Sequence, residues 1–385
     1  MSPAYLDPRS GATFSLDEPR WCGPAPPGEA GAPLLLTPLP GCGREAIDAA
    51  ARGPWRYRAA LPLPAAEPIT LGEGGTPLLP VSLYGARALL KLDFLMPTGS
   101  FKDRGTAVML SLLRAQGVRA VVEDSSGNAG ASIAAYAAAG GLAATIVTPA
   151  SASPAKLLQA RACGAQVETV DGDRDRVAAA AMARAARGAG FYASHNWHPF
   201  FLHGVKSLAY ELWEALGFRA PANVIAPCGA GSIVLGLEIG FGELLRAGAI
   251  DTLPRLFAAQ PAACAPVAAS FQAGEAVEIL ARPSMAEGTA IARPVRLPEL
   301  LGALAETRGG AVMVEETEIA RATLDLAALG VLVEPTSALA AAAFAKLLAS
   351  GAVADRQETV LVLTGSGLKA ADRIAALLSP AQPAP

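Results

Sequence analysis

The segment MPTGSFKDRG, Met96 to Gly105, sets a lysine, Lys102, immediately behind a small turn and at the mouth of an expected helix. Most lysines occupy solvated faces, where the ammonium does no chemistry. Here Pro97 to Gly99 read as the turn and Ser100 as a candidate N-cap, so Lys102 falls beside a helix N-terminus. Partly withdrawn from water, its charged form is disfavoured, and the amine becomes available for Schiff-base formation with a carbonyl.

Three turns rich in glycine and hydroxyl groups are placed to serve such chemistry. In EDSSGNAGAS, Glu123 to Ser132, a short apolar strand runs into Ser125, Ser126, Gly127 and Asn128 before a helix. Open N–H groups at a helix start, with hydroxyl and amide donors beside them, make a site for a carboxylate or phosphate. The same residue types are also ordinary helix caps. In APCGAGSIVLG, Ala226 to Gly236, glycines again separate a strand from a helix and let the backbone approach a phosphate closely. The spacing is not that of a dinucleotide fingerprint. In LVLTGSGLKA, Leu361 to Ala370, a buried strand is expected to end at Thr364, whose hydroxyl either faces a ligand or caps the turn.

The elements that must position these groups alternate. Strands are expected over ARALLKLD, AVVED, AATIVTP and AQVETV, and helices over FKDRGTAVMLSLLRAQG, NAGASIAAYAAAGG and SPAKLLQARACG. A second series begins near ANVIAP and ends with ETVLVLTGSGLKAADRIAALL. Alternation with short connections predicts parallel sheets covered on both faces, and two series predict two α/β domains with a cleft between their strand ends. At 385 residues the chain also exceeds the roughly 250 to 300 at which one core stops growing. Residues 1–80, rich in Pro and Gly, read as an irregular surface arm interrupted by a helical patch, REAIDAAARG, and the PAQPAP tail reads as disordered.

Composition narrows the partners. Hydrophobic residues make up 52% of the chain but aromatics only 5%, which describes a core of small, tightly packed side chains. Lys and Arg number 31 against 34 Asp and Glu, with no basic block, so nothing draws the chain to nucleic acid or anionic lipid; a small molecule is the expected partner. No apolar run of about 18 residues and no signal pattern is present, which points to the cytoplasm. Cys22, Cys42, Cys163, Cys228 and Cys264 are widely spaced and form no CxxC pair, so free thiols are expected and a metal site is not.

Taken in order, PTGSFKDRG, SSGNAGASIAAYAAAGG, PCGAGS and LTGSGLKA resemble the motifs of the fold-type II (tryptophan synthase β-like) pyridoxal-phosphate enzymes, and within that family most resemble the threonine synthases. WRYRAALPL and LGEGGTPLL extend the resemblance over roughly residues 53–370. It implies that Lys102 holds pyridoxal phosphate and moves protons, and that Asn128 bonds the cofactor's ring hydroxyl. It also implies that Ser125, Ser126 and Gly127 take the substrate's α-carboxylate, and that Gly229, Ala230, Gly231 and Ser232 cradle the cofactor phosphate. Thr364 would face the pyridine nitrogen, a neutral partner that suits elimination and replacement chemistry.

The implied reaction converts O-phospho-L-homoserine and water into L-threonine and phosphate, and requires a second anion site. Ser100, Arg104, Asn196, His203 and Lys206 are its candidates. A structural ion pair is the alternative for Arg104, and a helix-start face without a ligand for His203 and Lys206. His195 and His198 read as loop residues. MAEGTAI, Met285 to Ile291, resembles the dehydratases as much as the threonine synthases; Glu287 there either faces the ligand or stands exposed at a helix end. A dehydratase, ammonia-lyase or β-replacement synthase acting on serine, threonine or another activated amino acid is therefore the alternative activity. The resemblance further implies a smaller domain over 88–193 carrying Lys102 and Asn128, a larger one of 1–87 plus 194–385 carrying the glycine turn and Thr364, and a homodimer.

Overall fold

The computed structural model describes residues 2–25, 31–125, 127–152 and 154–379; Ser126 and the PAQPAP tail lie outside the described residues. The chain divides into two compact units, Met1–Gly75 with Met96–Arg219 and Ile239–Thr252, and Thr76–Leu95 with Ala220–Glu238 and Leu253–Pro385. This division departs from the expected boundaries in the arm, at residues 88–95, and over residues 194–219 and 239–252, which fall in the first unit and not in the second. Strand Ala86–Lys91 pairs in parallel with Thr359–Val362 and so belongs to the second unit. The N-terminal arm belongs to the first, where Tyr5, Leu34 and Leu36 are buried. That arm is also less irregular than its composition suggests: Tyr5–Leu6 pairs antiparallel with both Thr13–Phe14 and Leu35–Leu36. REAIDAAARG contributes only a 3-10 turn, Arg44–Ala46.

The first unit is built on a parallel sheet in the order Gln166–Val170, Ala143–Pro149, Ala120–Asp124, Phe191–Tyr192. Its strands Ala143–Pro149 and Ala120–Asp124 are largely buried, as expected where helices cover the sheet. From Ala120–Asp124 the chain steps outward twice on one side, then returns to place Phe191–Tyr192 on the other. Such a reversal opens a crevice at the carboxyl ends of the two central strands, the usual ligand position in open α/β sheets. Helices Lys102–Ala115 and Asn128–Gly140 belong to this unit, the second closed by Gly141 in the left-handed conformation at φ 68°.

The second unit holds a six-stranded sheet in the order Gly310–Val314, Arg255–Pro261, Asn223–Pro227, Thr359–Val362, Ala86–Lys91, Leu78–Leu83. All neighbours are parallel except the last pair. That hairpin turns through Tyr84 (φ 53°) and Gly85 (φ 79°), the two left-handed residues that match strand twist, and Pro80 is tolerated because its strand is an edge. The strand order reverses between Asn223–Pro227 and Thr359–Val362, so here too a crevice is expected at the carboxyl ends. Among the described residues no helix is long and apolar enough to cross a membrane, and the five cysteines are free.

Candidate active site

Lys102 is the first residue of its helix, which is capped by Phe101 without a side-chain hydrogen bond. Ser100 is therefore not the cap the sequence suggests. It is fully buried, and its Oγ has no hydrogen-bond partner among the described residues. The Lys102 ammonium lies 4.7 Å from the ring centre of Phe101 and 5.5 Å from that of Phe201, half-buried between aromatic faces that attract a cation.

The position of Lys102 relative to Asn128 is fixed by a residue that sequence reasoning missed. Asp103 accepts from Thr98 N (2.8 Å), Thr98 Oγ1 (2.6 Å) and Ser132 Oγ (2.7 Å), tying the turn before Lys102 to the helix that Asn128 begins. Asn128 is half-buried, and Ser125 adds to the local scaffold by accepting from Gly127 N at 3.3 Å. A hydroxyl one helical turn after Asn128 is the only sequence signal for this link.

The charged candidates for a second anion site are held in buried ion pairs. Arg104 donates to both oxygens of Glu211 (2.6 and 2.7 Å) and to Ser207 Oγ (3.1 Å). Lys206 donates to Glu243 Oε1 (2.6 Å) and the Ala60 carbonyl (2.7 Å), and burial lowers its pKa despite that partner. His203 is buried in helix Pro199–Val205, with its ring 6.1 Å from that of Phe200, and Asn196 is half-buried in the loop before it. His198 is not a plain loop residue: it is the N-cap of that helix, its Nδ1 accepting from Phe200 N. His195, from the same loop, is buried with its Nδ1 2.6 Å from Glu123 Oε1.

In the second unit the glycine turn follows strand Asn223–Pro227 and opens helix Ser232–Arg246, whose first N–H groups have no intrahelical acceptor. Gly231 has φ 86°, and a Cβ there would lie 2.2 Å from Leu300 Cδ2, so only glycine fits. A Cβ on Gly229 would press on Thr289 Cα at 3.0 Å. Burial pushes the neighbouring Cys228 thiol up to about 12, which keeps it protonated and unreactive. Thr364 lies two residues beyond the end of the adjacent strand, Thr359–Val362, and is pinned by Ser337, whose Oγ is 2.9 Å from Thr364 Oγ1 and accepts from Thr364 N at 3.0 Å. The pairing of Ile225 with Leu361 brings the turn and Thr364 to the same end of neighbouring strands. Glu287 begins a short 3-10 helix on the surface and pairs with Arg373, the exposed alternative of its two readings.

These features fit pyridoxal phosphate. The Gly229–Ser232 turn is a cradle that side chains would fill, at the positive end of a 15-residue helix, and suits a phosphate monoester. A lysine amine at the head of a helix, with the unsatisfied Ser100 hydroxyl beside it, suits the carbonyl end.

Comparison with known proteins agrees. The family model described as "Pyridoxal-phosphate dependent enzyme" matches residues 69–365. The chain is 34% identical over 330 residues to the threonine synthase of Methanocaldococcus jannaschii, covering 83% of this chain and 81% of that one. It is 31% identical over 324 residues to the threonine synthase of Methanosarcina acetivorans, covering 82% and 80%. Among solved structures, the T.th. threonine deaminase superposes with a TM-score of 0.64 at 27% identity, over 76% of this chain and 92% of that one. Motifs, fold and relatives converge, and the chain belongs to the pyridoxal-phosphate dependent enzyme family, with pyridoxal phosphate as its cofactor.

Proposed function

We propose that the protein is a threonine synthase, converting O-phospho-L-homoserine and water into L-threonine and phosphate. The observation that carries this reading is the identity of 31 to 34% to threonine synthases over about four-fifths of both chains. Pyridoxal phosphate, when bound, withdraws electrons from the amino acid's α-carbon and makes the α- and β-protons removable. Lys102 would hold it and, once released, take the α-proton at Nζ. The N–H groups of Gly229 to Ser232 would hold its phosphate, Asn128 its ring hydroxyl, and Thr364 would offer a hydroxyl to its ring nitrogen. Ser125 and Gly127, with Ser126, would receive the substrate carboxylate, and Ser100, Asn196 and His203 would contribute to the site for the leaving phosphate. A cytoplasmic homodimer completes the reading.

One observation favours the second reading, a dehydratase or β-replacement enzyme for serine, threonine or another activated amino acid. Arg104 and Lys206, the two cations among the candidates for the leaving-phosphate site, are neutralised by Glu211 and Glu243, whereas a phosphorylated substrate brings two negative charges. Incubation of the cofactor-loaded protein with O-phospho-L-homoserine, with phosphate, threonine and 2-oxobutyrate quantified together, decides the matter. Threonine equal to phosphate establishes the proposed reaction. No turnover, together with 2-oxo acid released from L-serine or L-threonine, establishes the second.

A further inference from the structure

The buried pair Glu123–His195 is used by none of the steps above. Both side chains are almost fully enclosed, and Glu123 holds the histidine twice, through Nδ1 at 2.6 Å and the backbone N–H at 3.2 Å. Burial of a carboxylate is costly and calls for a reason. The two residues come from the carboxyl ends of the two strands between which the sheet order reverses: Glu123 from Ala120–Asp124, His195 three residues beyond Phe191–Tyr192. That is where an open α/β sheet binds its ligand. The His195 ring centre lies 5.7 Å from that of Phe201, the same ring that has Lys102 Nζ 5.5 Å from its centre. Among the described residues nothing hydrogen-bonds His195 Nε2.

We propose that His195 and Glu123 form a proton-donating pair for the oxygen leaving group of an amino-acid substrate, His195 Nε2 delivering the proton and Glu123 orienting and recharging the ring. This rests on the reading of Lys102 as the cofactor lysine and on the second activity above, in which the oxygen lost is the β-hydroxyl of serine or threonine. The charged surroundings suit the role. Burial and the neighbouring Asp124 raise the Glu123 pKa, while burial and the charges of Lys102 and Arg174 lower that of His195, which favours a protonated Glu123 beside a neutral ring. In that state Glu123 donates to Nδ1 across the 2.6 Å contact, and Nε2 carries the ring hydrogen and is a donor. Asp124, the remaining acid, is engaged by Tyr192 Oη at 2.6 Å.

The step balances. The substrate's Cα–H proton goes to Lys102 Nζ and the freed electron pair forms the new double bond. The carbon–oxygen bond breaks with its electrons on oxygen, and that oxygen takes the Nε2 proton as the Glu123 proton passes to Nδ1. The pair is left as carboxylate and neutral imidazole, with Lys102 and Arg174 nearby to balance the charge, and solvent restores the proton. Glu123 is thus a positioning residue and His195 the catalytic one.

The test compares leaving groups. His195→Asn keeps an N–H for Glu123 but removes Nε2. It is expected to lower 2-oxo acid formation from L-serine, whose hydroxyl needs a proton to leave, by about 100-fold or more, and from β-chloro-L-alanine, whose chloride needs none, by less than about 3-fold. Glu123→Gln should show the same asymmetry with an altered pH profile. Equal losses on both substrates, no loss on either, or a cofactor-loaded wild type that eliminates neither would overturn the proposal. A second readout needs no turnover: titrating 15N-histidine-labelled protein with pyridoxal phosphate should move the His195 Nε2 resonance, identified by its loss in His195→Asn. A loaded protein, recognised by its visible absorption, in which that resonance stays fixed also overturns it. Absence of that absorption means that the reading of Lys102 has failed, and the pairing falls with it.

Discussion

At the residue scale, single atoms define what the turns tolerate. Gly231 combines a left-handed backbone with a Leu300 methyl 2.2 Å from where a Cβ would stand, so Gly231→Ala is strained in both conformation and space. We expect at least a ~10-fold weaker affinity for pyridoxal phosphate by titration of the visible absorption, because the N–H groups of the turn would be displaced; unchanged affinity would remove the turn from the site. That Lys102 stands at the start of a helix was legible in the sequence, because its neighbours are turn and helix-start residues whose meaning is local. The Asp103 bridge to Thr98 and Ser132 was not, because its partners lie 5 and 29 residues away and only the packed helices bring them together. The Glu123–His195 pair escaped for the same reason, at a separation of 72 residues.

At the scale of elements, two glycines set how the Lys102 helix crosses helix Pro199–Val205. A Cβ on Gly204 would lie 2.2 Å from the Arg104 carbonyl and 2.7 Å from Gly105 Cα. Gly204→Ala should therefore cost about 1 to 3 kcal/mol in denaturant unfolding, by forcing the helices apart. The Arg104–Glu211 pair locks the same region. Arg104→Ala should destabilise by about 3 to 5 kcal/mol, since it strands a buried carboxylate. A stable Arg104→Ala protein with a raised KM alone would show instead that Arg104 binds substrate. Strands AVVED and AATIVTP were legible to the residue, because an apolar run bounded by turns has few other readings. Leu78–Leu83 was not, since Pro80 argues against a strand and only the Tyr84–Gly85 turn reveals the hairpin. The strand orders depend on long-range pairing, which no local pattern records.

For the molecule as a whole, alternation and length announced two α/β units, but the N-terminal arm is attached by side chains whose partners lie far along the chain. Arg56 donates twice to Glu214 (2.7 and 2.9 Å), and Tyr57 donates to it at 2.7 Å. The Arg56 hydrogen bonds, helped by Tyr57 and opposed by partial burial, hold the Glu214 carboxyl below its usual range. A depressed carboxyl pKa contributes stability above the unfolded value, about 4.3, and loses it as pH falls through the folded value. Urea midpoints of wild type and Glu214→Gln should therefore differ most near neutrality and converge in acid; a constant difference would assign the effect to packing. The central claim, that Lys102 holds the cofactor, is tested most directly by borohydride reduction of the loaded protein followed by peptide mass mapping. The account predicts a pyridoxyl adduct on the peptide containing Lys102 and none in Lys102→Ala. An adduct on Lys91, Lys206 or another lysine would contradict it.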